Sequence, residues 1–231
     1  MMSITKMANE LEWENTITQD SSLKNYFHSD SPELIAFCQE AREFFDYLQK
    51  VDRSNLPKDE YIERPYAMLM HKDLAEFHGL NTSIFRTSEY LGDFIRYFWT
   101  DDDKPTFPCH IDSAFDGTMP ACLNFPLVNC DETTVVRWLR VESGLPKQVI
   151  NKGGEINSKI AANYTYEINE CNTSVVEEVS FFDDQPHLFR TSRWHEVINN
   201  GPKRRLISSI PFKTSMIWED IVHHCKTKGL I

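Results

Sequence analysis

The chain has 231 residues and a formal net charge of −11, from 24 Lys+Arg against 35 Asp+Glu. With 41% hydrophobic residues, 12% aromatic and only 8 glycines, its composition is that of a folding sequence and excludes a disordered or fibrous one. The acidity argues against nonspecific attachment to nucleic acid or anionic lipid, and no apolar run approaches the roughly 20 residues that span a bilayer. The first fifteen residues lack the apolar centre of a signal peptide, so a cytoplasmic location is expected. Cys38, Cys109, Cys122, Cys130, Cys171 and Cys225 are scattered without a C-x-x-C pair. That spacing predicts free thiols used mostly in packing, with no structural zinc and no disulfide framework.

In chain order, a polar and acidic opening of about thirty residues ends at Ser31-Pro32, a helix start with Ser31 as N-cap and Pro32 in the first helical position. Leu34, Phe37, Cys38, Ala41, Phe44, Phe45, Leu48 and Val51 recur at helical spacing and give one apolar face. Pro57 and Pro65 punctuate a connection, and residues 66–70 read as a short buried strand. A second helix is expected over 88–99, carrying Tyr90, Leu91, Phe94, Ile95, Phe98 and Trp99 and ended by the acidic run at 101–103. After Lys104 the pattern changes to short β-leaning runs at 105–111, 121–128, 133–141, 162–168, 175–182, 188–193, 196–198 and 205–212. Turn residues separate them at Asp116-Gly117, 129–132, Gly153-Gly154 and 199–202. Strands this short and regularly spaced predict a sandwich or barrel. A last helix is expected from about Ser215, capped by Thr214 and stopped by Gly229.

The expected organisation is α+β: an N-terminal helical flank at 1–103, a β core at 104–212 and a C-terminal helix at 213–231. Charge divides along the same lines, with net −10, −2 and +1 in the three segments. The acidity therefore lies outside the β core.

Chemistry concentrates in that core. In Cys109-His110-Ile111-Asp112 the imidazole and the carboxylate are two apart, so a strand aims both to one side. A distal histidine would complete a facial triad of two histidines and one carboxylate, which leaves open positions on a redox metal such as Fe(II). His195 offers it; His187 is the rival, after a proline. Arg205 follows His195 by ten residues and suits a carboxylate cosubstrate, since a guanidinium binds carboxylate through two parallel hydrogen bonds. Arg204 is the alternative anchor, because strand neighbours face opposite sides and only one points inward. Asn124, polar among apolar strand residues, either hydrogen-bonds the cosubstrate or braces a turn. Trp138 reads as core, Arg190 and Arg193 as solvated turn charges, and His223-His224 as a surface pair on the last helix.

The H-x-D pair, the distal His195 in an H-x-V-x-N setting and the spaced Arg205 resemble the Fe(II)- and 2-oxoglutarate-dependent dioxygenases. The resemblance covers roughly 104–212 and implies a double-stranded β-helix, also called a jelly-roll or cupin-like core. It implies iron on His110, Asp112 and His195, the distal carboxylate of 2-oxoglutarate on Arg205, and O2 as co-reactant. The local run 195–205 is most similar to the aspartyl/asparaginyl β-hydroxylase branch, which often lacks the carboxylate that Asp112 supplies here. Implied is the hydroxylation of an amino acid, a peptidyl residue or a small metabolite, with release of succinate and CO2. The alternatives are a non-catalytic jelly-roll binding module and a cupin-like metalloenzyme that does not use 2-oxoglutarate. No basic stripe or aromatic RNA-binding motif points to nucleic acid.

Overall fold

A computed structural model of the chain describes residues 24–57, 60–64, 67–100, 106–114, 117–144, 147–150, 164–167 and 171–231. The first helix, α1 (Pro32–Leu48), follows its sequence signals: Pro32 opens it, and Leu34, Phe37, Cys38, Ala41, Phe44, Phe45 and Leu48 are buried along one face. Ser31 stands at the N-cap with extended backbone, but its hydroxyl makes no cap bond; its amide donates to Ser29 Oγ at 3.1 Å. Two shorter turns of helix follow, α2 (Lys72–Phe77) and a 3-10 segment (Thr82–Arg86).

The strands are β1 (Tyr26–His28), β2 (Tyr61–Arg64), β3 (Ala67–His71), β4 (Phe94–Thr100), β5 (Thr106–His110), β6 (Ser113–Ala114), β7 (Gly117–Thr118), β8 (Ala121–Val128) and β9 (Thr134–Ser143). They continue as β10 (Lys147–Ile150), β11 (Tyr164–Glu167), β12 (Asn172–Ser180), β13 (His187–Arg190), β14 (His195–Asn199) and β15 (Arg205–Pro211). A seven-stranded sheet runs β1-β13-β8-β15-β4-β3-β2 and a four-stranded sheet β12-β9-β14-β5, every pairing antiparallel. In chain order β4, β5, β8, β9, β12, β13, β14 and β15 fall in the large, small, large, small, small, large, small and large sheet. That alternation is the jelly-roll, or double-stranded β-helix, and the expected α+β class is correct.

Period-two alternation sorts the side chains of the large sheet into two cores. Ile95, Tyr97 and Trp99 of β4, Leu123, Phe125 and Leu127 of β8, and Leu206 and Ile210 of β15 join the apolar face of α1 outside the barrel. Phe37 meets Phe125 edge-on at 4.8 Å there. Facing the other way, Ile207 and Phe189 meet Val136, Trp138 and Phe181 from the opposite side, so a second core lies between the sheets. Trp138 is fully buried in it and donates its indole N–H to the Arg190 carbonyl at 2.9 Å. β1 seals one seam: it pairs with the β13 edge, and Asn25 donates both its amide and its Nδ2 to Glu177 Oε2 of β12, each at 2.8 Å. The β10–β11 hairpin lies against β5 and β6.

Two expected elements are corrected. The helix over 88–99 is not formed; residues 94–100 are strand β4, hydrogen-bonded between β3 and β15. Its burial is nearly continuous because one face meets α1 and the other the interior, and such a run mimics a helical stripe. The last helix, α3 (Trp218–Thr227), begins three residues after the expected Ser215, with Ile217 at the N-cap and no side-chain cap. Lys213–Met216 is a turn closed by the Met216 amide on the Lys213 carbonyl at 3.1 Å, and burial of Trp218, Ile221, Val222 and Cys225 sets the helix instead. Gly229 does end it, with φ +67°. Strands β1, β2, β6, β7 and β10 fall outside the expected runs. The six cysteines are free, as expected, while the turn at Gly153-Gly154, Asp116 and the acidic run 101–103 lie outside the described residues.

Candidate metal centre

The small sheet brings the three expected ligands together. β5 ends at His110, β14 begins at His195, and the two residues are cross-strand partners with rings 4.4 Å apart between centroids. Asp112 follows β5 by two residues; its amide donates to the Thr191 carbonyl at 3.1 Å and its own carbonyl accepts from Met119 at 3.1 Å, so the carboxylate is aimed by backbone. Its Oδ1 lies 3.2 Å from His110 Nε2. Donor atoms of His110, Asp112 and His195 all lie within 4.8 Å of one another. This is one nitrogen, one oxygen and one nitrogen on one side of a point, with no thiol among them.

The protonation states suit a cation. His195 is 3% exposed, and its Nδ1–H points to the Arg193 carbonyl at 2.8 Å, which leaves the Nε2 lone pair free. Burial, with His110 beside it, lowers the His195 pKa to about 4, so it is a neutral ligand at neutral pH. Burial alone would raise Asp112; the hydrogen bond and charge of His110, with Arg96 and His195, outweigh it and hold the carboxyl well below its usual range. Phe189 stands edge-on to His195 at 5.0 Å and walls the imidazole on the inner side.

Comparison with known proteins gives fold-level likeness only. No family model matches the chain, and no curated protein matches it. Among solved structures it is similar to SnoN, the non-heme alpha ketoglutarate dependent epimerase from nogalamycin biosynthesis, at 11% identity over 90% of this chain and 84% of that one, TM-score 0.46. It is also similar to AviO1 from Streptomyces viridochromogenes (10% identity, 84% and 91% covered, TM-score 0.43) and to a Pseudomonas putida prolyl-4-hydroxylase (12%, 87% and 99%, 0.39). Likeness at this level assigns neither reaction nor substrate, which must come from the residues themselves.

Arg205 opens β15 on the face shared with Ile207 and is 2% exposed; its Nε and Nη1 find no partner among the described residues. A buried guanidinium with unused donors is a ready seat for a carboxylate. Arg204, the rival, is exposed and lies over the Trp99 ring at 5.2 Å. His187 is not at the triad: it is fully buried among Tyr26, Phe181 and Phe189, the nearest centroid at 4.0 Å. Asn124 takes the inner face of β8, its register partners being His187 and Ser209. Trp138 is core, as read. Arg190 is a correction: it is 1% exposed, with its guanidinium 5.5 Å from the Trp218 ring, because α3 covers it. His224 on α3 packs edge-on to Tyr90 at 4.7 Å.

Sequence reasoning missed Arg96. It lies on β4, 7% exposed, with Nη1 3.8 Å from Asp112 Oδ2 and Nη2 donating to Cys122 Sγ at 2.7 Å and Ser209 Oγ at 3.1 Å. The available signal was a single arginine inside an apolar run, Phe94-Ile95-Arg96-Tyr97-Phe98-Trp99, which the helical reading placed on no particular face.

Proposed function

We propose that the chain is an Fe(II)- and 2-oxoglutarate-dependent oxygenase acting on a small-molecule or peptidyl substrate. The observation that carries this reading is the convergence of His110, Asp112 and His195 inside a jelly-roll that also buries a guanidinium, Arg205, with unused donors. A metal needs the triad; only an anion needs Arg205. The donor set fits Fe(II): His110 and His195 each offer an imidazole nitrogen and Asp112 an ionised carboxylate on one face.

In this reading His110, Asp112 and His195 hold the ion, and Arg205 pairs with the distal carboxylate of 2-oxoglutarate. Asn124 is assigned to the same lining, as a hydrogen-bonding group. Bound together, the metal and cosubstrate supply an oxidation in which O2 is consumed, 2-oxoglutarate becomes succinate and CO2, and the substrate is oxidised, in hydroxylation by one oxygen atom. The chain's part is orientation and exclusion. The Arg193 carbonyl fixes the His195 tautomer, Thr191 and Met119 fix the backbone of Asp112, and Phe189 and Trp138 keep the inner side of the ligands apolar.

Anaerobic addition of Fe(II) and 2-oxoglutarate tests the assignment. A visible charge-transfer band that requires both, is lost in His195→Ala and is lost in Arg205→Gln is the expected result. No band in the wild-type protein, or a band indifferent to Arg205, refutes the cosubstrate assignment.

A further inference from the structure

Resting on the reading above, the inner surface of the barrel carries more positive charge than metal and cosubstrate use. Among the described residues, two buried guanidiniums, Arg96 and Arg205, face the space between the sheets, against one carboxylate, Asp112. A divalent ion and a dianionic cosubstrate leave one positive charge uncompensated in a low-dielectric interior, where a lone charge is costly. Arg96 is where it lies. Among the described residues its hydrogen bonds go to neutral acceptors, Cys122 Sγ and Ser209 Oγ, its Nε meets no partner, and Nη1 stays 3.8 Å from Asp112, beyond hydrogen-bond reach. Burial pushes the Cys122 thiol pKa up, so it supplies no counter-charge.

Arg96 also ends a polar row. Across the large sheet, His187, Asn124, Ser209 and Arg96 are successive register partners on β13, β8, β15 and β4. The row forms a hydrogen-bonding strip on the inner face that ends, at Arg96, beside the metal-binding carboxylate.

We propose that Arg96 is a substrate-binding residue that takes a carboxylate carried by the oxidised substrate. The substrate is thus an acid whose carboxylate lies near the carbon that reacts. Arg205 serves the cosubstrate and Arg96 the substrate, so the two cations discriminate two carboxylic acids inside one barrel.

The test uses the full chain loaded with Mn(II) and 2-oxoglutarate, a state that does not turn over, and 13C-labelled acetate as probe. Expected is a saturable paramagnetic relaxation of the acetate carboxylate, with none for acetamide. Arg96→Gln should cut the enhancement at least tenfold, Arg96→Lys should retain part of it, and the 2-oxoglutarate Kd should move less than threefold in both. Unchanged relaxation in Arg96→Gln, or no saturable acetate binding to the wild-type protein, overturns the proposal. So does a loss of 2-oxoglutarate affinity in Arg96→Gln as large as that in Arg205→Gln, which would give Arg96 to the cosubstrate. If Arg96→Gln fails to hold Mn(II), Arg96→Met takes its place, with the same expected and overturning results. If the wild-type protein takes up Mn(II) and 2-oxoglutarate but no acetate, this inference alone falls; if it takes up neither, the oxygenase reading falls with it.

Discussion

Replacing Arg205 with methionine should make the ligand-free protein more stable while removing its response to 2-oxoglutarate. The guanidinium is 2% exposed, and its Nε and Nη1 have no partner among the described residues. A buried donor left unsatisfied costs about 1–3 kcal/mol, and methionine fills a similar volume with no polar atom and an adaptable shape. Allowing for imperfect packing, a gain of about 1–3 kcal/mol is expected, which at about 2–4 °C per kcal/mol for a chain of this length is a rise in Tm of roughly 2–12 °C. In the wild-type protein with Mn(II), 2-oxoglutarate at 100 times its Kd should add about 2.7 kcal/mol; in Arg205→Met it should add nothing. Differential scanning calorimetry with and without the cosubstrate reads both effects. A fall in Tm for the ligand-free variant would show that Arg205 is a structural group whose donors are met, and would refute the reasoning.

Other consequences follow from particular contacts. Burial lowers the His187 pKa to about 3 from 6.5, so its share of stability is present above pH 6.5 and is lost as pH falls below it, about 2 kcal/mol by pH 5; urea melts of His187→Leu should show a pH 5 to pH 8 difference smaller by about that amount. Trp138→Ala should cost about 3–5 kcal/mol, since it empties the core between the sheets and removes the indole donor to the Arg190 carbonyl, and should lower the urea midpoint accordingly. Glu177→Ala removes the acceptor of two Asn25 N–H donors, leaving its carbonyl on the Arg190 amide, and should speed amide exchange of β1 several-fold over the rest of the large sheet, with global stability lower by about 1–2 kcal/mol. His110→Ala should weaken Mn(II) binding by at least 100-fold, measured by titration calorimetry, with the circular dichroism spectrum retained.

How far the sequence reaches depends on how distinct each local pattern is. β8 was legible to the residue because Ala121–Val128 is bounded by a proline at one end and a turn at the other. α1 was legible because its apolar residues repeat at one period and occupy one face. β4 was not, because a strand buried on both faces loses its alternation, and Tyr90, Leu91, Phe94, Ile95 and Phe98 happen to satisfy helical spacing. That single misreading hid Arg96, whose importance comes from β15 and Asp112 and not from its neighbours in the chain. The convergence of His110, Asp112 and His195 was expected because strand alternation aims 110 and 112 to one side, while His195 and Arg205 came from the family resemblance and not from local geometry. What Arg190 does was invisible, since α3 arrives from nearly thirty residues later to cover it.

The pairing of His110 with His195 across β5 and β14 has a consequence for assembly. Side chains alternate between sheet faces, so sliding one strand by a single residue would turn one imidazole away from the other and put Glu196 or Cys109 in its place. The ladder is already irregular at that point, with a register shift between His195 and Val197. Under the proposed reading, an ion held by both rings would favour the one alignment of the two strands that brings His110 opposite His195, so metal occupancy would reinforce the register of the small sheet.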